Sequence, residues 1–145
     1  MRARSQPSGG LVADAAVTDT NALLYHASGP SRMLGRQAAR HLQDCDAGRV
    51  LTYVPTGVIW ELAMLSRVGR ADLGRSVRQF FDDLFSKPSY QPLDVSPEQV
   101  YDASELGFNR DPFDGLIVAA ARSLNLPLIT RDEAIRTSGA VRVLW

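Results

Sequence analysis

Five acidic residues are the strongest candidates for chemistry in this sequence, and two of them open its most informative segment. Asp111 and Asp114 lie three residues apart in RDPFDGLIVAAARSLNLPLITRD, residues 110–132, and Asp132 closes that segment. Asp19 and Glu61 complete the set. Carboxylates gathered in one place repel each other unless protons or a cation offset their charge. Because no His or Cys is expected beside them, the acids predict a site for Mg²⁺ or Mn²⁺ rather than Zn²⁺.

Each acid also has a structural alternative. Asp19 and Asp111 fit the N-cap position of a helix, where a side-chain oxygen accepts a backbone N–H. Asp114 fits a first helical turn, where the helix dipole favours an acid, and Asp132 fits a turn. Glu61, within the apolar stretch GVIWELAML, could point to solvent from the open face of a helix. The joint pattern favours a site, because four of the acids follow predicted strands or lie on helices that do, where open α/β sheets bind ligands.

The apolar pattern predicts an order in which strands alternate with helices. Short apolar runs at residues 13–18, 50–54, 90–95, 126–130 and 141–145 predict strands. The helices predicted between them include one from Ser31 to near Gly48 and one from Ala71 to Phe85. This order predicts a three-layer α/β/α fold with a mostly parallel central sheet of four to five strands. We expect one domain over residues 13–145 and a flexible N-terminal tail over residues 1–12.

Composition narrows the class of protein. The chain has 145 residues, 45% of them hydrophobic and 22% charged, which is typical of a globular domain without a membrane span. One cysteine, Cys45, excludes an internal disulfide and a cysteine zinc site, so we expect a cytoplasmic protein. The two histidines, His26 and His41, are expected at the surface. Outside the five acids above, 11 acidic residues face 16 basic ones, a balance that suits a polyanionic substrate.

Three segments resemble the PIN domain family, and most closely its VapC-type ribonuclease toxins from toxin–antitoxin pairs. They are VTDTNALLY, VIWELAML and DPFDGLIVAAARSLNLPLITRD, and the closing SGAVRVLW resembles the last strand of the family. The resemblance implies a PIN-like fold and assigns Asp19, Glu61, Asp114 and Asp132 as catalytic residues that hold one or two Mg²⁺ or Mn²⁺ ions. It places Asp111, Thr20, Asn21 and Thr130 around them. Gly115 departs from the pattern, because many relatives have an arginine there.

The function implied by the resemblance is a metal-dependent endoribonuclease that acts as the toxin of a toxin–antitoxin pair. We expect RNA as substrate, a cognate antitoxin protein and a second copy of the chain as partners, and no membrane. Four basic residues near the site loops are candidates for phosphate contacts: Arg67, Arg70, Arg110 and Arg131. A PIN-like binding module without activity is the main alternative. A phosphotransfer receiver is disfavoured, because Lys87 is the only lysine and lies between predicted helices.

Overall fold

Five parallel strands form one central sheet in the computed structural model, which describes residues 14–108 and 110–145. The tail predicted over residues 1–12 lies outside the described residues. Along the sheet the strand order is β3-β2-β1-β4-β5, and every pair of neighbours is parallel. The strands are β1 (Ala15–Thr18), β2 (Leu51–Pro55), β3 (Tyr90–Leu93), β4 (Leu128–Ile129) and β5 (Val143–Leu144). The mostly parallel α/β architecture predicted from the sequence is therefore confirmed.

The strand order reverses direction between β1 and β4. From β1 the chain adds β2 and then β3 on one side, and it later returns to place β4 and β5 on the other side. In the register Thr18 is opposite Ile129, so the residues that follow these strands, Asp19 and Thr130, emerge side by side. A reversal of strand order opens a crevice at the carboxyl ends of the strands, which is where such sheets bind ligands.

The helices connect these strands and cover the sheet. They are α1 (Thr20–Ser28), α2 (Arg36–Asp46), α3 (Thr56–Arg67), α4 (Val77–Phe85), α5 (Pro97–Leu106), α6 (Pro112–Ser123) and α7 (Glu133–Ser138). None of the helices within the described ranges is long and apolar enough to cross a membrane. The core contains apolar side chains of β1, β4 and the inner faces of the helices, including Val17, Leu128, Leu23, Leu62 and Val118. This core fixes the helices that carry the site.

Two helix predictions were wrong at their N-terminal ends. Residues 31–33 form a separate 3-10 turn, and α2 begins only after Gly35. A Cβ atom at Gly35 would lie 2.5 Å from the backbone carbon of Trp145, and the Trp145 carbonyl accepts the N–H of Gln37. Trp145 therefore packs against the first residues of α2. Helix α4 begins after Ser76, because Ser76 and Gln79 form a capping box there.

The prediction that both histidines lie at the surface was wrong for His41. The residue is 6% exposed, and its ring faces β2, with Nε2 3.1 Å from the Thr52 hydroxyl. Burial lowers the pKa of His41, so the neutral ring is favoured. His26 is partly buried and lies 2.8 Å from the Asp46 carboxylate. Each histidine contacts a residue of another element, and neither lines the cavity described next.

Candidate active site

A cavity of about 250 Å³ opens at the carboxyl ends of β1 and β4. Its walls come from the starts of α1, α6 and α7 and from the first half of α3. All five candidate acids are in these walls, together with three of the polar residues expected around them. The lining residues are Asp19, Thr20, Asn21, Glu61, Asp111, Asp114, Ile117, Thr130, Arg131 and Asp132. The fold thus brings together residues that the sequence separates by more than a hundred positions.

Asp19 lies at the junction between β1 and α1. Its Oδ1 accepts the N–H of Ala22 at 2.8 Å, so it is the N-cap of α1, and its own N–H donates to the Ile129 carbonyl at 3.1 Å. Burial raises the pKa of Asp19 to about 6, and the charges of Glu61 and Asp132 act in the same direction. The Thr130 hydroxyl and the Ala22 N–H partly offset this rise. Asp19 is therefore a desolvated carboxylate that neighbouring acids destabilise.

Thr130 and Asp132 form the corresponding junction after β4. Thr130 is fully buried, and its hydroxyl accepts the N–H of Asp132 at 3.1 Å. Asp132 Oδ1 accepts the N–H of Ile135 at 2.9 Å and caps α7. Because the same threonine hydroxyl also stabilises the charged form of Asp19, Thr130 links the two carboxylates that follow neighbouring strands.

Glu61 reaches the cavity from the opposite side, on α3. The Thr20 hydroxyl donates to Glu61 Oε1 at 2.5 Å and joins residues 41 positions apart. Burial raises the pKa of Glu61, and the charge of Asp111 raises it further, while the Thr20 hydrogen bond lowers it. The side chain therefore points inward, and the alternative of a solvent-facing glutamate on the outer side of the helix does not hold.

Asp111 and Asp114 begin α6 and have different roles there. Asp111 Oδ1 accepts the N–H of Phe113 at 2.9 Å and caps the helix, as its structural alternative predicted. Asp114 lies in the first turn, and no side-chain hydrogen bond to it occurs within residues 14–108 and 110–145. Burial raises the pKa of Asp114 to about 7, with further contributions from the charges of Asp111, Asp132, Glu61 and Asp19. Asp114 is thus the carboxylate on which the charges of all the other four act.

The chemistry of this donor set fits a hard divalent cation. The five acidic side chains of the lining offer carboxylate oxygens, and the lining contains neither His nor Cys, a combination that suits Mg²⁺ or Mn²⁺. In the part of the chain that the structure describes, however, no three His, Cys, Asp or Glu side chains are arranged so that they could hold a metal ion. The carboxylates would have to be drawn together to bind one.

Among the four candidate basic residues, only Arg131 lines the cavity. Its Nη2 donates to the Tyr25 hydroxyl at 3.1 Å, and its guanidinium carbon is 5.3 Å from the centre of the Tyr25 ring. Arg67, Arg70 and Arg110 are exposed and are not among the lining residues. The sequence interpretation missed Tyr25, although its position four residues after Asn21 places both on one face of α1.

Gly115, the departure from the expected pattern, is buried on α6 and faces α5. A Cβ atom there would lie 3.4 Å from the Ala103 carbonyl oxygen and 3.5 Å from the Ala103 Cβ atom. Gly115 is not among the residues that line the cavity. The glycine at this position, where many relatives have an arginine, therefore does not change which residues line the cavity.

Comparison with known proteins identifies the family. The fold is similar to VapBC2 from Rickettsia felis bound to a promoter DNA fragment, with 16% identity, a TM-score of 0.64 and coverage of 89% of this chain and 96% of that one. It is also similar to FitAcB from Neisseria gonorrhoeae, with 19% identity, a TM-score of 0.60 and coverage of 90% of this chain and 96% of that one. A toxin–antitoxin complex from Klebsiella pneumoniae is similar as well, with 18% identity, a TM-score of 0.59 and coverage of 90% of this chain and 96% of that one. No curated protein sequence gives a significant match. The PIN domain model matches residues 16–139, so the chain belongs to the PIN domain family.

Proposed function

We propose that this protein is a divalent-metal-dependent endoribonuclease that hydrolyses RNA phosphodiester bonds in the acidic cavity. The observation that carries the proposal is the environment of Asp114, whose pKa is raised to about 7 by burial and by four neighbouring carboxylates. A cluster of desolvated like charges is unfavourable by itself, and perturbed pKa values of this kind concentrate at functional sites. A divalent cation is the natural partner for such a cluster in a PIN domain.

Asp19, Glu61, Asp114 and Asp132 are the proposed ligands. When bound, a divalent cation lowers the pKa of water and neutralises negative charge on phosphate oxygens. The protein residues prepare that site: the caps at Asp19 and Asp132 fix two carboxylates on neighbouring helix starts, and Thr20 fixes Glu61. In the two capping ligands, Asp19 and Asp132, the Oδ1 atom accepts a backbone N–H, so the Oδ2 atom is the one left for a cation.

Substrate contacts are proposed for the basic and amide groups at the edge of the cavity. Arg131 and Asn21 both line it and are exposed, so a phosphate of an RNA strand can reach them. Arg67, Arg70 and Arg110 remain candidates for more distant contacts with the same strand. No nucleophilic side chain is required, because water is the attacking group in the proposed hydrolysis.

The proposed biological role is that of a VapC-type toxin in the cytoplasm, with a cognate antitoxin protein and a second copy of the chain as partners. The support is the similarity of the fold to chains in toxin–antitoxin complexes, over 89–90% of this chain. Sequence identities of 16–19% support a shared fold only, so the antitoxin partner requires its own test. Co-expression with the product of a short neighbouring reading frame, followed by purification of a stable complex, provides that test.

Cleavage of RNA decides between a nuclease and a binding module with intact acids. We expect the wild-type protein to cleave RNA with Mg²⁺ or Mn²⁺. Cleavage should stop in excess EDTA, and Zn²⁺ alone should not restore it. Asp114→Asn should lower cleavage on the order of 100-fold or more. Asp94→Asn is the matched control, because Asp94 is exposed on the loop before α5 and outside the cavity lining. Cleavage that continues unchanged in EDTA would refute the metal mechanism.

A further inference from the structure

Arg131 is an arginine in an acidic cavity that pairs with none of the acids. It follows Thr130 at the end of β4 and lines the cavity with all five carboxylates. The ion pairs within the described residues do not include one to Arg131. Its guanidinium instead stacks over the Tyr25 ring at 5.3 Å and donates to the Tyr25 hydroxyl at 3.1 Å.

This arrangement keeps two opposite charges apart. Burial, and after it the neighbouring acids, raise the pKa values of Asp19 and Asp114, and a nearby guanidinium would favour their charged forms. An arginine that paired with them would occupy the oxygens proposed to bind a metal ion. A planar guanidinium stacks well on an aromatic face, so Tyr25 offers Arg131 a competing position at the edge of the cavity.

We propose that Tyr25 is a positioning residue that holds Arg131 as a contact for an RNA backbone phosphate adjacent to the one cleaved. This inference rests on the proposed function. Asn21 and Tyr25 are four residues apart on α1, so they lie on one face of the helix, about one turn or ~5.4 Å apart. Because a polynucleotide carries a phosphate at every nucleotide, a strand that enters the cavity presents a further phosphate to this face.

The Tyr25 hydroxyl has the right chemistry for both tasks. It accepts a hydrogen bond from Arg131 and still has its own proton to donate, since a phenol is both donor and acceptor. An arginine offers several N–H groups in a fixed plane, and only one of them is used by Tyr25. The remaining groups match the geometry of phosphate oxygens.

Binding of a single-stranded RNA oligonucleotide tests the contact without cleavage. All variants are made in the Asp114→Asn background and measured in EDTA. Arg131→Gln and Tyr25→Ala should each weaken binding by ~10-fold, the size expected for one charge-assisted hydrogen bond. The double variant should bind no more weakly than either single one, because both remove the same contact. Arg131→Gln should also reduce by about one the slope of log affinity against log salt concentration.

Two matched controls measure the effect of losing an arginine or a tyrosine elsewhere on the surface, so that the specific contact can be told apart from it. Arg78→Gln replaces an exposed arginine on α4, and Tyr101→Ala removes an exposed tyrosine on α5. Neither lines the cavity, so both should bind RNA like the background protein. If Tyr25→Ala does not fold, Tyr25→Phe keeps the ring and loses only the hydroxyl, and roughly 3-fold weaker binding is expected for half the interaction.

A metal titration gives a readout that a purely structural tyrosine would not change. With Asp114 intact, Tyr25→Ala should need several-fold more Mn²⁺ for the same rise in melting temperature, because the released Arg131 then competes for the carboxylates. Tyr25→Ala with Arg131→Gln should restore the wild-type Mn²⁺ dependence while RNA binding stays weak. An unchanged Mn²⁺ dependence in Tyr25→Ala would overturn the positioning role.

The outcomes for this contact and for the nuclease function are distinguishable. Wild-type cleavage together with unchanged RNA binding in Arg131→Gln or Tyr25→Ala overturns the contact and leaves the nuclease in place. Absence of cleavage with every divalent ion, together with the expected losses of binding, overturns the nuclease and supports the contact. Absence of RNA binding by the background protein overturns the contact, and wild-type cleavage then decides the nuclease by itself.

Discussion

Replacing Asp114 with asparagine should make the metal-free protein more stable while it abolishes the response to metal. The substitution removes the charge that the other four acids face and keeps a side chain of nearly the same size. In the folded protein the pKa of Asp114 is about 7, against an ordinary value of 3.8. A carboxylate with a raised pKa costs folding free energy whenever it is ionised, so its removal relieves that cost.

The size of the effect follows from the same shift. A rise of about three pKa units corresponds to an upper bound of ~4 kcal/mol at 1.36 kcal/mol per unit. Asp114 is only half-buried, and solvent screening reduces this to ~2 kcal/mol. Loss of the favourable interaction with the dipole of α6 removes ~0.5 kcal/mol of that gain. A net gain of ~1.5 kcal/mol should raise the melting temperature by roughly 5 °C for a chain of this length.

The difference between the two proteins should depend on pH in a defined direction. Between the unfolded pKa near 4 and the folded pKa of about 7, the folded protein binds more protons than the unfolded chain. Wild-type stability therefore falls as pH rises through this window, as far as Asp114 is concerned. The variant and wild type should melt alike below about pH 4, and the advantage of the variant should be complete above about pH 7.

Melting curves in EDTA and in Mn²⁺ measure both effects. Wild-type protein should gain stability with Mn²⁺ at pH 8, because the ion binds only the folded cluster, and Asp114→Asn should gain little. Asp94→Asn is again the control for removal of an exposed aspartate, and it should melt and respond like wild type. If Asp114→Asn is less stable than wild type in EDTA and still responds fully to Mn²⁺, Asp114 is only a structural residue of α6 and the site is wrongly assigned.

Three further substitutions test other parts of the structure. Asp111→Asn should cost cleavage far less than Asp114→Asn, because asparagine caps a helix about as well as aspartate; equal losses would refute this distinction. Thr20→Val should lower cleavage by ~10-fold, because it removes the hydrogen bond to Glu61. Thr20→Ser keeps the hydroxyl and should restore cleavage, and the melting temperature of each variant shows whether it is folded. Gly35→Ala should destabilise the protein by ~1–3 kcal/mol in urea unfolding, because a Cβ atom there meets the C-terminal residue; a neutral result would contradict that contact.

The fold could be predicted from the sequence because its elements are local patterns. Apolar runs and helix caps identify the strands and helices, and their alternation requires a parallel sheet covered by helices. Two of the errors occurred where a distant residue decides, whereas the start of α4 is set by the local capping box of Ser76 and Gln79. Nothing near Gly35 in the sequence indicates that Trp145 will pack against it and end the preceding turn. The burial of His41 likewise depends on Thr52 in the adjacent strand, which accepts or donates its hydrogen bond.

The site could be predicted in its residue types but not in its contacts. Four of the five acids are recognisable because they stand near an element end, and the family resemblance adds Glu61, which lies in the middle of α3. The Thr20–Glu61 bond joins positions 41 apart, and the Tyr25–Arg131 contact joins positions 106 apart. No local pattern links such pairs. Only the reversal of strand order between β1 and β4 brings the start of α1 beside the end of β4.

The structural and functional interpretations of the acids turn out to be compatible, because a carboxylate has two oxygens. In Asp19, Asp111 and Asp132 the Oδ1 atom accepts a backbone N–H at a helix start. The structural alternatives predicted this cap for Asp19 and Asp111, whereas for Asp132 they predicted only a turn. The helices that begin after β1 and β4 place the caps at Asp19 and Asp132 in one crevice, and α6 adds the third. An N-cap aspartate in this fold therefore orients its carboxylate as well as beginning a helix. It follows that an asparagine at such a position preserves the helix and removes only the charge, so charge-neutral substitutions separate the two roles better than alanine does.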